Sequence, residues 1–184
     1  MNVSELALIE RYIKENDRVL DIGCGNGELL HKLKRVKKLG KFVGVDVAKS
    51  KKRDFEFYQM NAEDFQINEK FEVIIISHNL EHLKNPVACL EQCKKHLVKF
   101  GKVLIIVPNR FGFRNEAKIW FPEHGKHYWL FDEESLGFLL NRLGFVCRFH
   151  PTNFAGISNK YLLALLKLLL PKRSSTIFCV AMKE

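Results

Sequence analysis

Apolar positions change their period repeatedly along this chain, and the changes divide it into alternating helices and strands. Between residues 4 and 15, Leu6, Leu8, Ile9, Tyr12 and Ile13 recur at mainly helical spacing until Asn16 and Asp17 break the pattern. The run from Arg18 to Gly23 then reads as a buried strand. A helix follows over Glu28 to Val36, with Leu29, Leu30 and Leu33 on its inner side and Gly40 ending it. Phe42 to Val47 predicts the second strand, Phe55 to Gln59 the third and Phe71 to Ile76 the fourth, whose apolar run suits a strand covered on both faces. Pro86 opens a helix in which Val87, Leu90, Cys93 and Leu97 recur at three and four, and Gly101 introduces the strand Val103 to Val107. Asp132 caps a helix over Glu133 to Arg142 and Gly144 closes it, after which Phe145 to Phe149 and Thr176 to Met182 supply two more strands.

This succession predicts an α/β fold: a Rossmann-like, doubly wound, mostly parallel seven-stranded sheet with helices on both faces and ligands at the carboxyl ends of its strands. No repeat or low-complexity linker splits the 184 residues, so one domain over 1–184 is expected, with 157–173 set apart as an apolar helical insertion. Within that insertion, Tyr161 to Leu170 contains Lys167 and stops at Pro171, short of the roughly 18 residues of a membrane-spanning helix. Three uses for it stand open: docking on a membrane surface, binding a lipid-linked acceptor, or a homodimer contact. A helix that simply covers the sheet and acceptor pocket needs no partner and is preferred.

Five cysteines at scattered positions, Cys24, Cys89, Cys93, Cys147 and Cys179, form neither a disulfide framework nor paired metal-ligand clusters, which fits a reducing cytoplasm. Met1 to Glu5 carries an early acid and does not resemble a secretory signal. The formal charge of +9 is uneven, with Lys32, Lys34, Arg35, Lys37, Lys38, Lys41, Lys49, Lys51, Lys52 and Arg53 crowded into one region against Asp46. Such a patch can attract an anionic partner, RNA included, although a solvated lysine-rich face accounts for it more simply.

The first strand closes on Gly23-Cys24-Gly25-Asn26-Gly27, a loop whose glycines let backbone approach a ligand. Two acids add information: Asp21 inside the strand end, and Asp46 at the end of the next strand, where a carboxylate can accept from both ribose hydroxyls. A nicotinamide dinucleotide is disfavoured. Its fingerprint is G-x-G-x-x-G, whereas the glycines here fall at 23, 25 and 27 and position 28 is Glu, whose charge would meet the pyrophosphate. A sulfonium cofactor carries no phosphate, and Asp21 can hold its ammonium group.

On these residues the chain resembles the class I S-adenosylmethionine-dependent methyltransferases, especially the branch that includes quinone-biosynthesis methyltransferases. Val19 to Gly27 matches the family's first motif and Val43-Gly44-Val45-Asp46 its second. Asn61-Ala62-Glu63-Asp64 resembles the segment that edges the adenine, and Phe71 to Ile76 with Ser77-His78-Asn79-Leu80-Glu81-His82-Leu83 resembles the fourth strand and its turn. The resemblance implies S-adenosyl-L-methionine as cofactor. It implies that Asp21, Gly23, Cys24, Gly25 and Gly27 hold the methionine part, Asp46 with Val47 the ribose, and Asn61, Ala62 and Glu63 the adenine. Ser77 and His78 are expected beside the sulfonium.

Methyl transfer is an in-line displacement that gains from alignment in a dry site, and a general base helps when the acceptor is a hydroxyl. His78, His124 and His127 are the candidate bases or acceptor contacts, while His82 reads better as a packing residue. Residues 108–131 follow strand five, where the family's acceptor site opens, and carry Arg110, Phe111, Trp120, Phe121, Tyr128 and Trp129. They read equally well as an aromatic, basic lid and as a loop packed against the sheet. Glu123 and His124 with His127 lack a third convincing ligand, so no metal is expected. The turn Ser77-His78-Asn79-Leu80 also lacks the Asn/Asp-Pro-Pro-aromatic pattern that marks amino-methylating nucleic-acid enzymes of this fold. The leading expectation is methylation of a small or lipid-linked metabolite at oxygen or carbon; a noncatalytic module binding RNA or an acidic protein is the alternative.

Overall fold

The computed structural model describes residues 3–38, 40–48, 54–112, 127–152 and 159–184. Seven strands form one sheet: β1 (Arg18–Ile22), β2 (Lys41–Asp46), β3 (Glu56–Gln59), β4 (Phe71–Ser77), β5 (Leu97–Pro108), β6 (Phe145–Pro151) and β7 (Thr176–Lys183). Their order is β3-β2-β1-β4-β5-β7-β6. Strands β1 to β5 pair in parallel, and β7 runs antiparallel between β5 and β6. The expected fold class therefore holds, with one reversed strand.

Successive residues of the central strands point to opposite faces, and each face carries its own core. Leu20, Ile22, Ile74, Ile76, Val103 and Ile105 meet helix α3 (Pro86–His96) and helix α4 (Glu133–Arg142) through Leu90, Cys93, Leu136 and Leu140. Val19, Val73, Ile75, Leu104 and Ile106 share the other core with Ile9 and Ile13, at helix α1 (Val3–Tyr12) and its end, and with Leu29, Leu30 and Leu33 of helix α2 (Glu28–Val36). Each such buried leucine contributes about 1.5–3 kcal/mol relative to exposure. Caps set the helix starts: Asn85 accepts from the Ala88 N–H ahead of Pro86, and Asp132 forms a capping box with Ser135.

Three expectations need correction. Leu97 does not continue α3; its backbone is extended and it pairs with Phe71 as the first residue of β5, so Gly101 lies within that strand. The buried side of α3 is made by Cys89, Leu90, Cys93 and His96, while Val87 is exposed. Finally, the helix over Lys160–Leu169, here α5, buries none of its residues and covers no core. Residues 157 and 158 of the expected insertion lie outside the described residues.

Candidate cofactor site

Strand order reverses at β1, with β2 on one side and β4 on the other, and the crevice beyond their carboxyl ends is where such sheets bind ligands. The loop after β1 turns back through left-handed backbone at Gly23 (φ 75), Gly25 (φ 52) and Gly27 (φ 78). The N–H groups of Gly23 and Cys24 both donate to the Val45 carbonyl, at 2.8 and 3.1 Å. A Cβ on Gly23 would lie 2.4 Å from Asn79 Cγ, so no larger residue fits there without displacing Asn79.

Two clefts open on either side of Gly23. One, of about 300 Å³, is lined by Asp21, Cys24, Gly25, Ser77 and His78. The other, of about 380 Å³, is lined by Asp46, Val47, Asn61, Ala62 and Glu63. The structure thus brings together the residues expected at the methionine part in one cleft and those expected at the adenosine part in the next. Gly27 lines neither. It precedes α2, and a Cβ there would meet the Phe55 ring at 2.2 Å.

The two acids differ in environment. Asp21 is buried, and burial, with the Asp46 charge second, pushes its carboxyl up to about 7. Asp46 braces the glycine loop: Oδ2 accepts from the Gly25 N–H at 2.7 Å and Oδ1 from the Ala48 N–H at 2.8 Å. A carboxylate oxygen has a second lone pair, so both can still accept from a diol. Glu63 is partly committed elsewhere, since its Oε1 accepts from the Lys84 and Asn85 N–H groups and its own N–H donates to Asn61 Oδ1.

His78, in left-handed backbone (φ 52), stands between two buried acids. Its Nε2 is 3.6 Å from Glu5 Oε1 and its Nδ1 3.9 Å from Glu81 Oε1. Burial alone would lower its pKa, but the two carboxylates outweigh burial and hold it above the ordinary value. His127 stacks edge-on to His82, ring centroids 4.6 Å apart, and its pKa is lowered by burial and by the neighbouring histidines. Glu81, His82 and His127 offer ligand atoms within 4.8 Å of one another, a set able to take a metal ion that sequence spacing alone does not assemble. The Glu81 carboxyl is raised by burial, and its Oε2 is buried without a hydrogen-bond partner among the described residues. His124, with Glu123, Trp120 and Phe121, lies outside the described residues.

Both ends of the 108–131 segment are fixed. Asn109 bridges to Phe131, whose carbonyl accepts from the Arg110 N–H at 2.8 Å. The Tyr128 and Trp129 N–H groups donate to the Glu81 carbonyl, and Trp129 Nε1 donates to the Leu83 carbonyl at 2.8 Å. Tyr128 consequently joins Met60, Asn79 and His82 in lining the larger cleft. Asn79 and Glu81 were within a motif the sequence displayed but received no role. Glu5 had no local signal, because its contact with His78 is made across the fold.

The basic patch is less bare than the local sequence suggests. Lys34 pairs with Asp54 at 3.0 Å, Lys41 with Glu56 and Glu69, and Lys32 with Glu28. Lys49, Lys51, Lys52 and Arg53 lie outside the described residues.

A family model described as a methyltransferase domain matches residues 2–148. A ubiquinone biosynthesis O-methyltransferase from Glaesserella parasuis is 32% identical over 111 residues, covering 50% of this chain and 46% of that protein. The chain spans about half the length of the curated relatives it matches. Among solved structures, a SAM-dependent methyltransferase from Thermotoga maritima superposes with a TM-score of 0.78 at 19% identity, over 99% of this chain and 89% of that one. The plantazolicin methyltransferase BpumL in complex with SAH does so with a TM-score of 0.71 at 17% identity, over 98% and 82%.

Proposed function

Because this chain belongs to the methyltransferase-domain family, we propose that it transfers a methyl group from S-adenosylmethionine to a small or lipid-linked metabolite, at oxygen or carbon. The observation that carries this reading is the pair of clefts meeting at Gly23, one holding the buried Asp21 and the other Asp46. Their residues fit the cofactor on two independent counts. At Gly25 nothing lies within 4 Å of where a Cβ would stand, which leaves the loop backbone open to a ligand, and the buried Asp21, whose pKa burial raises to about 7, suits an ammonium group.

In this reading Asp21 holds the ammonium, and Asp46 the ribose diol while it braces the loop at Gly25. Asn61 and Ala62 edge the adenine, and Ser77 and His78 flank the reacting centre. Bound there, the cofactor supplies an electrophilic methyl group for in-line transfer. The chain's own work is alignment, exclusion of water and acceptance of the acceptor's proton. His127 serves the last role better than His78, because its lowered pKa keeps it neutral near pH 7. The fixed ends of 108–131 support that segment as the acceptor-side wall.

Calorimetric titration with S-adenosylmethionine tests the reading: the wild type binds, and Asp46→Ala loses binding with the ribose contact and the loop brace. A wild-type protein that ignores the cofactor yet retains RNA affinity would instead establish the noncatalytic alternative.

A further inference from the structure

Helix α5 is turned inside out. In a surface helix the apolar stripe faces the core and charges face water. Here Tyr161, Leu162, Leu165, Leu168 and Leu169 are exposed, Leu168 at 77%, and share one side of the helix. Leu163, Leu166 and Lys167 are the half-covered side. The one charge within the leucine run thus lies toward the protein, and the five exposed apolar residues lie away from it. Leu170, just past the helix, is exposed as well.

We propose that this helix docks in the plane of an anionic membrane surface. Charge selects the occupant. Lys160 opens the helix, Lys172 and Arg173 follow it, and no acid occurs from residue 159 until Glu184. Across the fold Glu134 pairs with Lys172 at 3.4 Å, and Asp132 and Glu133 line a small cleft with that lysine. A second copy of the chain suits this surface poorly, since a two-fold pairing of the helices sets cationic ends against cationic ends. Anionic headgroups meet the same ends favourably while the leucines enter the acyl boundary. At ten residues the helix is about 15 Å long, too short to cross. No helix among the described residues is long and apolar enough to span a membrane.

Topology places the strand ends that flank the helix on the same edge of the sheet as the clefts. β6 runs parallel to β5 and ends at Pro151, while β7 begins at Thr176 opposite Pro108, so both ends of the connection lie at the carboxyl edge of the sheet. Asn109 fastens it there, its Nδ2 donating to the carbonyls of Lys172 and Ser174 at 2.9 and 2.7 Å. Docking by α5 would bring the candidate site's edge to the membrane. The inference stands apart from methyl transfer, because membrane binding is read without cofactor.

Co-sedimentation with vesicles of phosphatidylcholine, alone or mixed with phosphatidylglycerol, tests it. The wild type should pellet with the mixed vesicles and release with salt. Leu165→Glu with Leu168→Glu should reduce partitioning about tenfold or more, and Lys160→Ala about fivefold. Leu168→Ser, a single exposed change, gives a weaker loss and guards against misfolding in the double variant. Failure of the wild type to bind either vesicle would overturn the proposal, as would undiminished binding by all three variants. A stable dimer that the paired glutamates dissociate, without vesicle binding, would assign the surface to a second copy instead.

Discussion

Asp21→Asn should stabilise the cofactor-free protein above neutral pH while removing cofactor binding. Asp21 is buried at the end of β1, where its carboxyl is shifted from 3.8 to about 7. At about 1.36 kcal/mol per pH unit, that shift corresponds to a cost of about 4 kcal/mol for carrying the ionised group in the folded state. Relaxation and water entry into the cleft reduce this, and about 2 kcal/mol is a reasonable floor. The folded state holds the proton more tightly than the unfolded chain. Stability linked to Asp21 is therefore fully present below pH 3.8 and is lost as pH rises to about 7. The amide cannot ionise, so the variant should escape that loss. Urea denaturation at pH 5 and pH 8 checks the difference, and a gain of about 2 kcal/mol would raise Tm by about 4–8 °C in a chain of this size. Cofactor affinity measured on the same samples should collapse. An Asp21→Asn protein no more stable than wild type at pH 8 would refute the assignment of Asp21 as a strained carboxylate suited to a cationic ligand.

Gly23→Ala forces a Cβ against Asn79 at φ 75 and should cost about 1–2 kcal/mol along with most cofactor affinity; pairing it with Asn79→Ala should recover part of the stability but not the strain, as thermal melts will tell. Glu5→Gln removes the nearest carboxylate from His78 and should lower the imidazole pKa, readable by NMR titration. The sign is set by the raised folded value: stability from the Glu5–His78 pair is present below 6.5 and fades as pH passes the folded pKa, so wild type and variant should converge in stability at alkaline pH. Cofactor affinity in the wild type should itself rise between pH 5 and 8 as Asp21 ionises, which calorimetry across that range will read.

What the sequence displayed and what it hid follow from the range of the contacts. β1, β4 and the core of β5 were legible because strands covered on both faces must be apolar throughout, and the loop Gly23 to Gly27 because it is local chemistry at the end of one such strand. The end of α3 was not, since Leu97 keeps the helical period yet is claimed by pairing with Phe71, which lies far earlier in the chain. The partners of the lysine patch were hidden for the same reason: Asp54, Glu56 and Glu69 reach it from β3 and the stretches before β3 and β4. For α5 the sequence revealed a helix, but the absence of buried residues on it belongs to tertiary structure.

The histidines carry that lesson into the chemistry. From sequence, His78 was attractive because it follows the fourth strand. In the fold it lies between Glu5 and Glu81, which favour the charged imidazolium, and a protonated histidine accepts no proton. His127 comes from the far end of the 108–131 segment and reaches the same turn only because Tyr128 and Trp129 are hydrogen-bonded to Glu81 and Leu83. Its depressed pKa suits a base, and its approach to His82 and Glu81 suits a ligand. The roles separate by assay once an acceptor is in hand. His127→Ala as a base lowers kcat about 10²-fold or more and abolishes the acidic limb of the pH profile, with activity indifferent to chelators. As a metal ligand, the same substitution acts together with chelation, and added divalent cation restores the wild type alone. A variant with unchanged kcat and an unchanged profile would remove His127 from both roles and return the proton to water.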